Sequence, residues 1–139
     1  MKVGIMSKPY EIVIGMADTD AAGFLFFASL FPLMQRAYEY SMKVAGLPLS
    51  DMLENQTYLT VVVHAEADFK QRVVVDDPLQ INLEEDYISD HSFGINYNIY
   101  RNSILVAVGK TSHVVISKKS GAPQLIPIEL KKVIKGLNS

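Results

Sequence analysis

The hydrophobic pattern changes period along the chain. In "SFGINYNIYR" the apolar Phe93, Ile95, Tyr97 and Ile99 alternate with Gly94, Asn96 and Asn98, the two-residue period of a strand with one buried and one more polar face. Over 28–45 the period lengthens. Gln35, Arg36, Glu39 and Lys43 recur there at spacings of three and four, while Phe31, Met34, Ala37, Tyr38, Met42 and Ala45 cover the remaining sides. The pattern predicts one long, mostly buried helix. Pro32 lacks the amide hydrogen that a helix interior needs, so the start is expected at Ala28 or Ser29, and Gly46 with Pro48 ends the helix.

Ahead of that helix, "YEIVIGM" reads as a first strand and "ADTDAAG" as the polar turn after it. Behind it follow "YLTVVVHAEADF", "LQINLEEDYI", "SFGINYNIYR" and "SILVAVGKTSHVVIS", separated by connections too short for parallel crossovers. The amphipathic tail "PIELKKVIKGL" predicts a short terminal helix. The expected class is α+β: one strand, one buried helix, then a four-stranded antiparallel meander able to wrap it. No repeat, low-complexity stretch or Pro/Gly/Ser-rich linker intervenes, so one domain spanning 1–139 is expected.

Composition narrows the partners. Apolar residues make up 49% of the 139, charged residues 20%, and the net charge is -2, a balance that suggests neither disorder nor nucleic-acid binding. The lack of cysteine excludes a disulfide scaffold, thiolate metal sites and a cysteine nucleophile, and fits a reducing compartment such as the cytoplasm. Lys8, Pro9 and Glu11 break the first apolar run, which therefore does not read as a signal peptide. The uncharged stretch 21–34 is shorter than the roughly 18 residues of a spanning helix, so a soluble protein with no membrane partner is expected.

Candidate chemistry centres on Asp18 and Asp20. One reading makes them turn and capping residues, as aspartate is favoured where a strand gives way to a helix. Another uses the helix start: a carboxylate just ahead of it lies near amides with no intrahelical partner, which can stabilise an oxyanion. The pattern leaves both open. An apolar strand followed by Asp-X-Asp also looks like a haloacid-dehalogenase-type phosphatase, with Asp76 and Asp77 as magnesium ligands. The strand-rich second half and the Ala21-Ala22 pair after the second aspartate oppose it. His64, His91 and His113 lack the spacing of a zinc site, and neither metal nor cofactor is expected.

"DTDAAGFLFFASLFPLMQRAYEY" resembles the opening motif of the 4-hydroxybenzoyl-CoA thioesterase family of hotdog-fold enzymes, where Asp-X-Asp-X-X-Gly precedes the central helix. The similarity extends through "VVHAEADFKQRVVVDDPLQI" and "SDHSFGINYNIYR". It implies a hotdog fold, a sheet of about five strands wrapped around one helix. It also implies that Asp20 is the catalytic carboxylate, attacking the thioester carbonyl or activating water, and that the Phe27 backbone amide holds the carbonyl oxygen. Gly23 falls on the family glycine, whose use is a positive φ or close backbone approach. Gln35 falls on a position facing the acyl group in relatives, open here between a ring hydroxyl and solvent.

The same resemblance implies an acyl-CoA substrate, with Lys70 and Arg72, or Lys118 and Lys119, as candidate cations for its phosphates. It implies a homodimer or homotetramer in which His64 reaches the partner's site. "ADTDAAG", "AYE" and "VHA" look closest to the branch that hydrolyses 1,4-dihydroxy-2-naphthoyl-CoA in quinone synthesis. Alternatives are a thioesterase for aliphatic acyl-CoA or acyl-carrier protein, and a non-catalytic acyl-CoA-binding domain. Ala28-Ser29 departs from the Asn and aromatic or Gln that relatives often carry there.

Overall fold

The β-type runs pair as one antiparallel sheet in the computed structural model, which describes residues 8–137. Its strands are β1 (Tyr10–Val13), β2 (Tyr58–Phe69), β3 (Pro78–Ile88), β4 (Ser92–Arg101) and β5 (Ile104–Ser117). The helices are α1 (Leu30–Val44), α2 (Leu49–Asn55) and α3 (Ile128–Lys135), with short 3-10 turns at Met16–Asp18 and Phe27–Ser29.

Strand order is β1-β3-β4-β5-β2, which corrects one expectation. β3, β4 and β5 form a meander, but β2 lies beyond β5 rather than beside β3. A short connection does not force neighbours to pair when it runs extended. The link 70–77 can span about 26 Å, while three strand spacings amount to about 14 Å. The link crosses over the sheet end, where the Lys70 and Gln71 amides both donate to the Val106 carbonyl, at 2.7 and 3.1 Å.

α1 begins through the 3-10 turn at Phe27 and becomes α-helical at Leu30, which leaves Pro32 in the first turn where its missing N–H costs little. It ends in a Schellman arrangement: the Gly46 amide donates to the Lys43 carbonyl at 3.0 Å, the Leu47 amide to the Met42 carbonyl at 2.9 Å, and Gly46 takes φ +90°. Leu30, Leu33, Met34, Ala37, Tyr38 and Met42 are buried, while Phe31 and Ala45, expected on the apolar side, are half-buried. The buried helix face shares one core with Leu79 and Ile81 of β3 and with Phe93, Ile95, Tyr97 and Ile99 of β4. Each such fully buried aliphatic or aromatic side chain stabilises the fold by about 1.5–3 kcal/mol. Leu130 and Ile134 of α3 add to that core. A sheet curled around one central helix is the hotdog fold. No helix among the described residues is long and apolar enough to cross a membrane.

Candidate active site

The two aspartates separate in role. Asp18 accepts the Gly15 amide on Oδ2 at 2.9 Å and gives its own carbonyl to the Phe26 amide at 3.0 Å, which makes it a turn residue. Asp20 is exposed, and its Oδ1 accepts the amides of Ala22 at 2.9 Å and Phe24 at 3.2 Å. Its Oδ2 has no hydrogen-bond partner among the described residues. The carboxylate is thus held by one oxygen and presents the other.

Gly23 closes this turn at φ +85°, donating its amide to the Asp20 carbonyl at 3.0 Å. A Cβ there would meet nothing within 4 Å, so conformation rather than space selects glycine. The segment 19–25 is then laid against 73–75. Phe24 bridges to Val74, the Leu25 amide donates to the Val73 carbonyl at 2.8 Å, and the Val75 amide donates to the Gly23 carbonyl at 3.1 Å.

Phe27 is the first residue of the turn that enters α1, and neither its N–H nor that of Ala28 finds an acceptor among the described residues. Helix N-termini carry partial positive charge, so two such donors without acceptors form the kind of position that can take an anionic oxygen. Beside them lies a shallow, mostly apolar groove of about 200 Å³ whose lining includes Phe24, Phe27, Phe69 and Arg72. The Phe27 side chain is 66% exposed and its ring packs at 4.8 Å, centroid to centroid, on Phe26.

Around this centre the other sequence candidates scatter. Arg72 belongs to it, its guanidinium carbon 4.8 Å from the Phe24 ring centroid. Lys70 is exposed at the rim where β2 ends. Gln35 is half-buried eight residues beyond Phe27, about 12 Å along the helix, and its Nε2 donates to Glu39 Oε2 at 3.0 Å.

His64 lies on the free edge of the sheet, five residues back from Phe69 and so about 17 Å along β2, too far to join Asp20 within one chain. Its Nε2 is 2.8 Å from Glu66 Oε1, and that hydrogen bond holds the Glu66 carboxyl below its usual range. Lys118 and Lys119 follow the end of β5 that pairs with the start of β2, about 35 Å along the sheet from Lys70. Lys118 Nζ donates to the Leu53 carbonyl at 2.7 Å and secures α2, which the sequence reading missed. They form no common cation cluster with Arg72. His113 is buried in the core and His91 is exposed at a turn. Phe24 stands inside the motif as an aromatic suited to a flat ring or to the core, but Phe69 escaped notice because 44 residues separate the two and nothing in its stretch marks it as a neighbour. Among the described residues no group of three metal-ligating side chains converges.

Fold and site together define a hotdog domain with a carboxylate presented at the start of its central helix. The chain belongs to the Thioesterase-like superfamily, whose model matches residues 14–134. It is 34% identical over 123 residues to the 1,4-dihydroxy-2-naphthoyl-CoA hydrolase of Microcystis aeruginosa, covering 88% of this chain and 89% of the relative. A protein of the same name from Nostoc punctiforme is 34% identical over 125 residues, covering 90% and 84%. The crystal structure of a 1,4-dihydroxy-2-naphthoyl-CoA thioesterase from Synechocystis superposes with a TM-score of 0.86 at 27% identity, covering 96% of this chain and 98% of that one.

Proposed function

We propose that this protein is an acyl-CoA thioesterase that hydrolyses an aromatic thioester, 1,4-dihydroxy-2-naphthoyl-CoA, with Asp20 as the catalytic carboxylate. The observation that carries the reading is that Asp20 Oδ2 and, a few residues on, the Phe27 and Ala28 amides entering the helix all lack hydrogen-bond partners among the described residues. The identity to hydrolases of that name supports the substrate. In one form of the mechanism Oδ2 attacks the thioester carbon, the coenzyme A thiolate departs, and water cleaves the mixed anhydride. In the other, the carboxylate takes a proton from water as that water attacks. Both pass through an oxyanion, and the Phe27 amide is its donor. Arg72, with Lys70 at the rim, is the cation set for the phosphates, and Gln35 is the group for a ring hydroxyl.

The functional unit in this reading is a homodimer, or a homotetramer built from it, formed through the free edge of β2. Val61, Val62, Val63 and His64 are all exposed there, an apolar edge that soluble proteins rarely leave unpaired. A second copy on that edge brings His64 toward the other subunit's Asp20 loop. A chain without cysteine suits the cytoplasm, where we place it.

The test is thiol release from 1,4-dihydroxy-2-naphthoyl-CoA, benzoyl-CoA and aliphatic acyl-CoAs by wild type and Asp20→Asn. The expected result is preference for the naphthoyl ester and a loss of at least about 100-fold in the variant, equivalent to about 2.7 kcal/mol of barrier. Preference for an aliphatic ester moves the substrate to that class. An Asp20→Asn variant as active as wild type removes Asp20 from the chemistry, and no cleavage of any ester leaves a binding domain.

A further inference from the structure

Arg101, at the last position of β4, reaches across the sheet end to the link that backs the Asp20 turn. Its Nη1 donates to the Arg72 carbonyl at 2.6 Å and to Asp77 Oδ2 at 2.8 Å. The same Asp77 oxygen accepts the Val74 amide at 2.9 Å, and the Asp77 amide returns to the Val74 carbonyl at 3.2 Å. The ion pair is largely withdrawn from water, with side chains 23% and 18% exposed, so it is screened less than a surface pair. Arg101 therefore ties down both ends of 72–77. Asp76, between them, takes φ +72°, a left-handed conformation uncommon outside glycine that aspartate tolerates better than most residues.

From this segment two routes lead to Asp20. Along the backbone, Val73 and Val75 bond to Leu25 and Gly23, and the Phe24 amide between these two holds Asp20 Oδ1. Through side chains, the Arg72 main chain is fixed by Arg101 while its guanidinium covers the Phe24 ring. We propose that Arg101 and Asp77 are positioning residues for the Asp20 carboxylate, fixing its direction through 72–75 without touching substrate. The inference rests on the reading of Asp20 as the reacting carboxylate. A group whose work is done in the transition state loses rate when its direction drifts, even if binding persists.

The experiment uses full-length Arg101→Gln, Asp77→Asn and Arg101→Lys, with kcat and KM on the aromatic acyl-CoA that wild type cleaves best. Melting temperature and amide hydrogen exchange at Phe24, Leu25 and Val75 are followed alongside. Well below the melting temperature, Arg101→Gln is expected to lower kcat by about tenfold or more while KM moves less than about threefold. Arg101→Lys, whose ammonium can still donate to both acceptors, restores kcat to within about threefold of wild type. Exchange at Leu25 and Val75 is expected to accelerate by about tenfold in Arg101→Gln and Asp77→Asn. Asp77→Asn keeps the side-chain shape and carries the test if Arg101→Gln does not fold. Folded Arg101→Gln and Asp77→Asn with wild-type kcat, or a loss that only follows the unfolded fraction, overturn the proposal. If wild type cleaves no thioester, the Asp20 reading fails on its own, and unchanged exchange at Leu25 and Val75 then separately overturns the clamp.

Discussion

His113 lies flat against Phe93, with ring centroids 4.8 Å apart and planes 4° from parallel. Tyr38 covers its other face at 4.8 Å, and Nε2 is 2.8 Å from the Thr111 hydroxyl, which in turn pairs with the Tyr97 hydroxyl at 2.9 Å. Burial in this stack disfavours the imidazolium and pushes the His113 pKa down from 6.5 to about 4. Above the unfolded value both states hold a neutral ring. As pH falls from 6.5 toward 4 the unfolded chain takes up a proton that the folded one refuses, so stability falls through that window. The full loss is about 3 kcal/mol. Urea unfolding at pH 7 and pH 4.5 is expected to give a smaller drop in His113→Phe than in wild type. Equal drops in the two proteins remove His113 as the cause.

Phe27 offers a way to delete a backbone donor without breaking its helix. It is the first residue of its 3-10 turn, where proline is best tolerated, and Phe26 before it is already extended at φ -67° and ψ 131°, as a residue preceding proline prefers. Phe27→Pro removes the N–H and is expected to lower kcat by about 100-fold to 1000-fold, the usual effect of losing one oxyanion donor. Phe27→Ala, which keeps the N–H and loses only the exposed ring, controls for the side chain. Equal kcat values for the two variants place the donor elsewhere, with the Ala28 amide next to be tested.

What could be read beforehand divides along physical lines. Local periodicity sufficed for α1, the strands and α3, because burial repeats every two or every three to four residues. It could not place β2 beside β5, since strand order depends on which edges meet after the chain has folded back. α2 was missed because "LSDMLEN" is too short for a helical period to stand out. Asp20 and Gly23 were legible as a motif, and the structure adds the means by which the turn holds the carboxylate. The pairing of Arg101 with Asp77 went unread because it spans 24 residues: Asp77 reads only as a candidate magnesium ligand, and Arg101 looks like an ordinary charge at the end of a strand.

Two strand glycines make room for side chains of unequal stiffness. A Cβ at Gly94 would lie 2.5 and 2.6 Å from ring carbons of Tyr87, its cross-strand partner, whereas one at Gly109 would lie 2.6 Å from the terminal methyl of Met34. A rigid ring can only swing away as a unit, while a methionine can fold aside within the core. Gly94→Ala is therefore expected to cost about 2–3 kcal/mol and Gly109→Ala nearer 1 kcal/mol, the two ends of the overpacking range. In the Gly94→Ala background, Tyr87→Ser removes the clash, so the double variant should lose less than the sum of its singles. Chemical denaturation of the four proteins measures this. Strict additivity would show that ring and glycine do not interact.

The turn joining β4 to β5 takes φ 50° at Asn102 and φ 71° at Ser103, both in the left-handed region. Two-residue hairpins adopt this geometry because its twist matches that of the flanking strands, and Asn-Gly is its preferred sequence. Asn102 fits the first position, but Ser103 bears a Cβ penalty at the second that glycine avoids. Against this, glycine gives the unfolded chain more freedom to lose on folding. Relief of the left-handed strain, about 1–2 kcal/mol for an L-residue, exceeds the entropic cost of about 0.5–1 kcal/mol. Ser103→Gly is thus expected to stabilise the protein by about 0.5–1 kcal/mol, and Ser103→Val, β-branched at a positive φ, to destabilise it by more. Both are measured as shifts of the urea midpoint at constant slope. A Ser103→Gly midpoint at or below that of wild type would mean that the hairpin relaxes away from the left-handed geometry in solution.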